Sequence, residues 1–523
     1  MRRGLALGVA VIALVTSHAA FAEDVGPEIE GEVTWTKAGS PYVVLSDTTV
    51  DADAVLTIEP GARIELEADQ SLFIEGQLVA RGTSEDRILF TARAGAPDDE
   101  LWGSLVFEDS SVDAVFEDID TYVEGSVLEH CVIERGQKAI QLHAASPYIA
   151  SCELRDNEFF DTLSEKCGAA MYVGPGSAPR IRGCEFLRNV ATGFCYGGAV
   201  YVDAADPVIQ DNLFAENRAV YGGALTTSLM AAPIVGNTFR GNSVSSKGGA
   251  VSLVSTVSAF LDNLVESNSA RTDGGGVHVC IDCKPHSVPF FMDNSITGNA
   301  TEVEGAGGVG TAFLRAFHAN NLHGNLGAGG APSDFGWFHE LEWGDPDWTA
   351  VFDISGNYWG TDSLDTIEEA VFHGADDDLF GTVTFEPVLA EPVDGPSPRI
   401  TLTTLWLAYD VPGTEMPLYL TVYNPGDALE VEVVLMLQLG EAGPIVVRDL
   451  PPVAGATETD HGFRFSMAAG AVLFTTLMAP EYQPAEGSPA YGQWHAGLFD
   501  ASTGERLGEV SSIRFDLATG GEG

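Results

Sequence analysis

The sequence predicts an all-β chain in two parts, a parallel β-solenoid followed by a β-sandwich, and three observations carry the prediction. A short Cys/Asn ladder motif recurs with a mid-twenties period between residues 128 and 360. A Gly-Gly-Ala-apolar block alternates with it, and past a Pro-rich break near residue 395 the pattern changes to longer alternating apolar runs. A unit this short cannot bury its own inward face, so successive units must stack. The expected fold class is therefore a right-handed parallel β-helix with a C-terminal, immunoglobulin-like β-sandwich.

The chain opens on Met1-Arg2-Arg3, an apolar run from Leu5 to Val15 and the small-residue site Ala20-Phe21-Ala22. That order is a cleavable signal peptide over residues 1–22, which implies export to the periplasm, the cell surface or the medium. No later stretch has the roughly 20 continuous apolar residues of a transmembrane helix. The formal charge is −51, and loss of the two signal arginines takes it to −53. Such a field repels nucleic acid and anionic membranes, and it keeps an exported monomer soluble.

The repeats fix two columns and one variable edge. The first ladder position is held by Cys131, Cys152, Cys184, Asn212, Asn237, Asn263, Asn294, Asn320 and Asn357. Five residues on stand Gly136, Asn157, Asn189, Asn217, Asn242, Asn268, Asn299 and Asn325. An Asn at a coil corner tolerates unusual backbone angles and can hydrogen-bond to its equivalent one coil, about 4.8 Å, away. Cys at that position serves as a small buried hydrophobe. The Gly-Gly-Ala blocks begin at Gly197, Gly222 and Gly248, with weaker copies at Gly168, Gly275 and Gly307, and supply positive φ or close backbone approach at another corner. From each glycine pair to the next ladder Asn the spacing is constant over three copies, whereas the return interval varies. Loops are therefore expected on one edge, at residues 190–196, 218–221, 243–247 and 269–274, and binding surfaces tend to lie on such loops.

Phe186-Leu187-Arg188-Asn189, Phe214-Ala215-Glu216-Asn217 and Phe239-Arg240-Gly241-Asn242, alternating with the Gly-Gly-Ala blocks, give residues 128–330 a resemblance to the chlamydial polymorphic outer-membrane protein repeats. The resemblance implies a surface β-helix adhesin. This chain lacks the C-terminal transporter barrel of that family.

Earlier coils are read in Leu56–Ile64 and Leu72–Leu78, so the β-helix spans 33–390. Asp365-Thr366-Ile367-Glu368 reads as a capping box for a short helix near its end, stopped by Gly374, and Glu386-Pro387-Val388 ends the last coil. Residues 391–398 form a Pro-rich linker. Residues 399–517, with strands over Leu418–Val422, Val431–Met436 and Val472–Phe474, form the β-sandwich.

Candidate sites are few. Aligning Gly168 with Gly197 places Cys167 and Cys195 one coil apart as a first disulfide, and Cys280 with Cys283 makes a second that staples an inserted loop. A zinc set of His278, Cys280, Cys283 and His286 competes with that disulfide, and no metal is assigned. Trp337, Trp343 and Trp348 lie among Glu340 and Glu342, and aromatic faces beside carboxylates suit sugar rings and their hydroxyls. Packing of these tryptophans against the rod is the competing reading. The expected function is a non-catalytic, exported scaffold that binds a polysaccharide or cell-surface glycan. The alternative is a polysaccharide lyase acting on an acidic glycan. It would need calcium-holding acids such as Asp376–Asp378 and a base among Arg180, Arg182 and Arg188. The Asn-Thr-Asp, Gly-His-Gly and Arg-x-Lys blocks of β-helix hydrolases are absent.

Overall fold

The computed structural model describes residues 23–517, apart from 98, 118–120, 164–165, 281–288, 312, 313, 315, 338–351, 374–381, 394, 396, 397, 404–407, 410–415, 440–444, 447–456, 460, 461, 469, 480–490 and 509. Among the described residues, short strands fall into parallel sheets of twelve, thirteen and eleven strands, visited in that order on every turn of the chain. The first stack runs from Glu23–Val25 to Asn321–His323, the second from Glu28–Ile29 to Val371–Phe372, and the third from Glu32–Trp35 to Ala316–His318. This is a parallel β-helix. Strands of two to five residues suffice because the inner ones are hydrogen-bonded on both sides by the coils above and below.

Stacking in register turns sequence repeats into columns. Phe186 pairs with Phe214 and Phe214 with Phe239 in the first stack, and their rings lie 4.6 and 4.8 Å apart, nearly parallel. Beyond Phe239 the aromatic column passes to Phe260, Phe291 and Phe317 of the third stack, and all of these rings are buried. Each stacked pair adds about 0.5–1.5 kcal/mol to the burial of its area.

The asparagines form two columns inside the wall. Asn212 donates through its backbone N–H and Nδ2 to Asn237 Oδ1 (3.0 and 2.9 Å), and the same pattern climbs through Asn263, Asn294 and Asn320 to Asn357. The second column links Asn157, Asn189, Asn217, Asn242, Asn268, Asn299 and Asn325 in the same way. The left-handed backbone expected at the asparagines sits one residue earlier instead. Asp211, Asp262 and Asp293 have φ of 55°, 53° and 59°, and each precedes a ladder Asn that lacks positive φ. The preceding residue turns the corner, and this frees the asparagine to aim its amide along the column. At the lower end Cys131 N–H donates to Cys152 Sγ and Cys184 N–H to Asn212 Oδ1, so the thiols extend the first column and are more than space-filling hydrophobes.

The two glycines of each block have different tasks. Gly197, Gly222 and Gly248 carry φ of 72°, 55° and 73°, whereas a Cβ on Gly198, Gly223 or Gly249 would lie 2.0–2.1 Å from the carbonyl oxygen of the glycine one coil on. The first turns the chain and the second lets two backbones touch. The same geometry assigns the next pair to Gly274 and Gly275, one residue before the block read from the sequence at Gly275.

The edge expected to carry loops carries a fourth parallel sheet. Glu158–Asp161, Val190–Gly193, Arg218–Ala219, Ser243–Val244, Ser269–Ala270 and Ala300–Thr301 stack between the first and second faces. Neighbours above and below satisfy the backbone of the inner segments, so they become strands. The short helix is Leu364–Glu368, capped by Ser363 and not by Asp365, and Gly374 lies outside the described residues.

Past the rod, Arg399–Thr403, Met416–Asn424 and Ala471–Ala479 form an antiparallel sheet. A second sheet is built around Leu429–Leu439, Gly462–Met467, Tyr491–Asp500 and Ser511–Leu517. Leu418, Leu420 and Val422 from the first pack with Val431, Val433, Leu435 and Trp494 from the second in one core. This module rests on the third face of the rod, where Tyr423 and Val472 pack with Val235, Leu261, Phe290 and Met292. Arg399 donates to both carboxylate oxygens of Asp293 at 2.6 and 2.7 Å, and Tyr423 donates to Asp262 at 2.7 Å. Among the described residues no helix is long and apolar enough to cross a membrane.

Candidate functional site

Where the module meets the rod it leaves a shallow cleft lined by Phe116, Tyr148, Arg180, Arg182, Val208, Gln210 and Val472. Stacking explains most of this grouping. Tyr148, Arg180 and Val208 are register partners on three successive strands of the third face, as are Ala150, Arg182 and Gln210. In both sets the intervening residues Ile149, Ile181 and Ile209 point into the core, so alternation turns the flanking positions outward. Phe116 comes from a small hairpin, Val115–Phe116 with Tyr122–Glu124, inserted before this face.

The aromatic side chains form a cluster and the guanidinium groups border it. Phe116 meets Tyr148 edge-on at 5.3 Å, and Tyr122 stacks on Tyr148 at 5.8 Å. Burial raises the Tyr122 phenol above its ordinary value, so it is neutral and a hydrogen-bond donor. Arg180 lies 3.8 Å from the centroid of Phe116. Arg182 sits 3.5 Å from Asp211, one-third exposed. Gln210 donates to the carbonyl of Gly470, so the module itself fixes one wall. A guanidinium stacked over one aromatic ring with a second nearby, at the rim of a cleft, suits a ligand with a flat apolar face and several oxygen acceptors.

A second polar centre is enclosed beneath the surface of the second face. His278 stands between Ser252 and Gly310 in register and is buried, and among the described residues neither ring nitrogen has a hydrogen-bond partner. Its Nε2 is 4.0 Å from Asp273 Oδ2. Asp273 Oδ1 accepts from the N–H groups of Gly274 and Ala306 at 2.9 and 3.1 Å and occupies the space a side chain at Gly310 would need. Burial lifts the Asp273 carboxyl to about 6, against the pull of Lys247. Burial, with Lys247 adding to it, depresses His278 to about 3.

The residues singled out in the sequence are dispersed. Trp337 ends a strand of the second stack, Phe335–Trp337, while Glu340, Glu342, Trp343 and Trp348 lie outside the described residues. Cys167 and Cys195 form a disulfide with a Cα separation of 5.2 Å. Cys280 is also disulfide-bonded, which withdraws its thiolate from a zinc set with His278, and Cys283 and His286 lie outside the described residues. Arg180 and Arg182 meet in the cleft, whereas Arg188 pairs with Asp156 elsewhere on the rod. Sequence reasoning missed Phe116, Tyr148 and Gln210. The repeat spacing of Tyr148-Ile149-Ala150, Arg180-Ile181-Arg182 and Val208-Ile209-Gln210 was the signal that could have joined two of them.

Residues 103–279 match the family described as right handed beta helix region. Together with the stacked parallel sheets, that match decides the architecture. The chain is a right-handed β-helix repeat protein. A 96-residue stretch of this β-helix protein is 34% identical to Protein bark beetle of Drosophila melanogaster, over 17% of this chain and 3% of that protein. The chain thus corresponds to a small part of that relative's length. No solved structure matches the β-helix protein.

Proposed function

We propose that the protein is an exported, adhesin-like scaffold that binds carbohydrate in the cleft between its rod and its C-terminal module. The observation that carries this reading is the aromatic cluster of Phe116, Tyr122 and Tyr148 bordered by Arg180, Arg182 and Gln210. The C–H faces of sugar rings stack on electron-rich aromatic faces, and planar donors suit their hydroxyl or carboxylate oxygens. The likeness of the Phe-x-x-Asn and Gly-Gly-Ala repeats to chlamydial surface adhesins supports the binding role, and the N-terminal segment supports export. The C-terminal module reads as an immunoglobulin-like sandwich that completes the site by contributing Val472 and the Gly470 carbonyl.

A glycan array probed with the mature protein tests the reading. Retention on a defined set of glycans, with no unsaturated sugar ends generated with or without calcium, is the expected result. Absence of retention on every glycan would contradict binding, and release of unsaturated ends would replace the scaffold with a lyase.

A further inference from the structure

We propose that the strand Glu158–Asp161 is a docking edge for an extended segment of another protein, which adds as a parallel or antiparallel strand and carries apolar residues between basic ones.

The backbone supplies the first argument. Among the described residues, Glu158–Asp161 is the terminal strand of the fourth sheet and pairs with a strand, Val190–Gly193, on one side only. Val190 N–H binds Asn157 O and Phe194 N–H binds Asp161 O, so residues 157, 159 and 161 direct their peptide groups to that neighbour. With a period of two, residues 158 and 160 face the opposite edge. There Glu158 N–H is taken by the carbonyl of Gly136, while the N–H and C=O of Phe160 have no partner among the described residues. An open edge of this kind is a template for another strand.

The side chains supply the second. Among the described residues, the three most exposed large apolar side chains are Leu163 (95%), Phe160 (67%) and Phe194 (62%). All three belong to two adjacent segments: Phe160 is opposite Thr192, Phe194 N–H donates to the Asp161 carbonyl, and Leu163 N–H donates to Asp161 Oδ1 at 2.7 Å. The Cys167–Cys195 disulfide ties the two segments at their base. Holding apolar groups rigidly in water is unfavourable unless something covers them.

Charge selects the occupant. Pairing with a second copy would set Glu158 and Asp161 against their own equivalents within a molecule of formal charge −51. Lys138, over the ring of Phe159 at 4.3 Å, offsets part of the Asp161 charge and leaves Glu158 to the field, while Lys166 is engaged with Asp203. A segment with alternating apolar and basic residues meets the backbone edge, the apolar patch and the field together.

The test uses the full mature chain and labelled synthetic peptides of about ten residues alternating valine and lysine, followed by fluorescence polarisation. Phe160→Pro removes the edge N–H, and because that N–H faces away from the sheet an edge proline is tolerated. Binding that falls about tenfold or more in Phe160→Pro and in the Leu163→Ser/Phe194→Ser double variant, at an unchanged unfolding midpoint, supports the proposal. Should Phe160→Pro lower the midpoint, a peptide N-methylated at alternate amides asks the same question from the ligand side, and loss of its binding is the supporting result. Equal binding by wild type and variants, equal binding of a valine–glutamate peptide, no binding of any peptide at millimolar concentration, or a dimer of the chain that dissociates on Phe160→Pro would each overturn it.

Discussion

Asp334 Oδ1 accepts from both the backbone N–H and the Nδ2 of Asn325, at 2.9 and 2.8 Å, and so terminates the second asparagine column with an acceptor drawn from a different part of the coil. Every asparagine below it uses its side-chain oxygen as acceptor for the coil beneath and its amide as donor to the coil above and to a carbonyl of the core strand. The last member needs an acceptor only, which a carboxylate or an amide can supply.

From this follows a paired prediction. Asp334→Asn keeps the acceptor and leaves stability close to wild type, whereas Asp334→Ala strands two donors of Asn325 and costs about 2–4 kcal/mol. Chemical denaturation of the two variants checks the difference.

The docking of the C-terminal module depends on a column of acids at the coil corners. Asp262 and Asp293 receive Tyr423 and Arg399, and the Arg399–Asp293 pair is largely buried, with side-chain exposures of 14% and 2%. Arg399→Met leaves a buried carboxylate unpaired, a loss of about 3–5 kcal/mol at the contact. The expected outcome is a module that separates from the rod while each part stays folded, read as a larger radius of gyration in solution scattering and faster proteolysis within 391–398.

The enclosed Asp273–His278 pair predicts a pH dependence with two opposing parts. Asp273 rises from 3.8 to about 6 on folding, so its contribution to stability is present at low pH and is lost as pH rises towards 6. His278 falls from 6.5 to about 3, so its contribution is present near neutrality and is lost as pH falls below 6.5. Between 4 and 6 the two slopes offset one another. Asp273→Asn removes the first, and the stability of the variant then falls with acidification faster than wild type by up to about 1.4 kcal/mol per pH unit. Denaturation midpoints at half-unit steps across that range provide the check.

The Cys167–Cys195 disulfide closes a loop of 28 residues. Replacing both cysteines by serine is expected to lower stability by about 3–4 kcal/mol on the chain-entropy argument. Calorimetry of the variant beside wild type measures the loss.

Much of the rod was legible because periodic stacking writes itself into the sequence. A ladder asparagine must recur once per coil, and glycine is the residue that survives where two backbones touch, as at Gly223. Cys167 and Cys195 followed from the same alignment. The αL residue before each ladder Cys or Asn was harder to see, because Ser151, Gly183, Asp211 and Ala319 share a conformation and no chemistry. The fourth sheet was read as loops because strands of two residues such as Arg218–Ala219 have no periodicity of their own and exist through their neighbours. The cleft was least legible. Tyr148 and Arg180 lie 32 residues apart and could be aligned, but Val472 reaches them only through the packing of a second module, which no local pattern encodes.

The central claim is that the cleft holds a sugar, and isothermal titration with a glycan retained on the array tests it most directly. Tyr148→Ala should weaken that glycan about tenfold or more in protein that remains folded. An affinity unchanged by Tyr148→Ala, and equally by Arg182→Ala, would contradict the account.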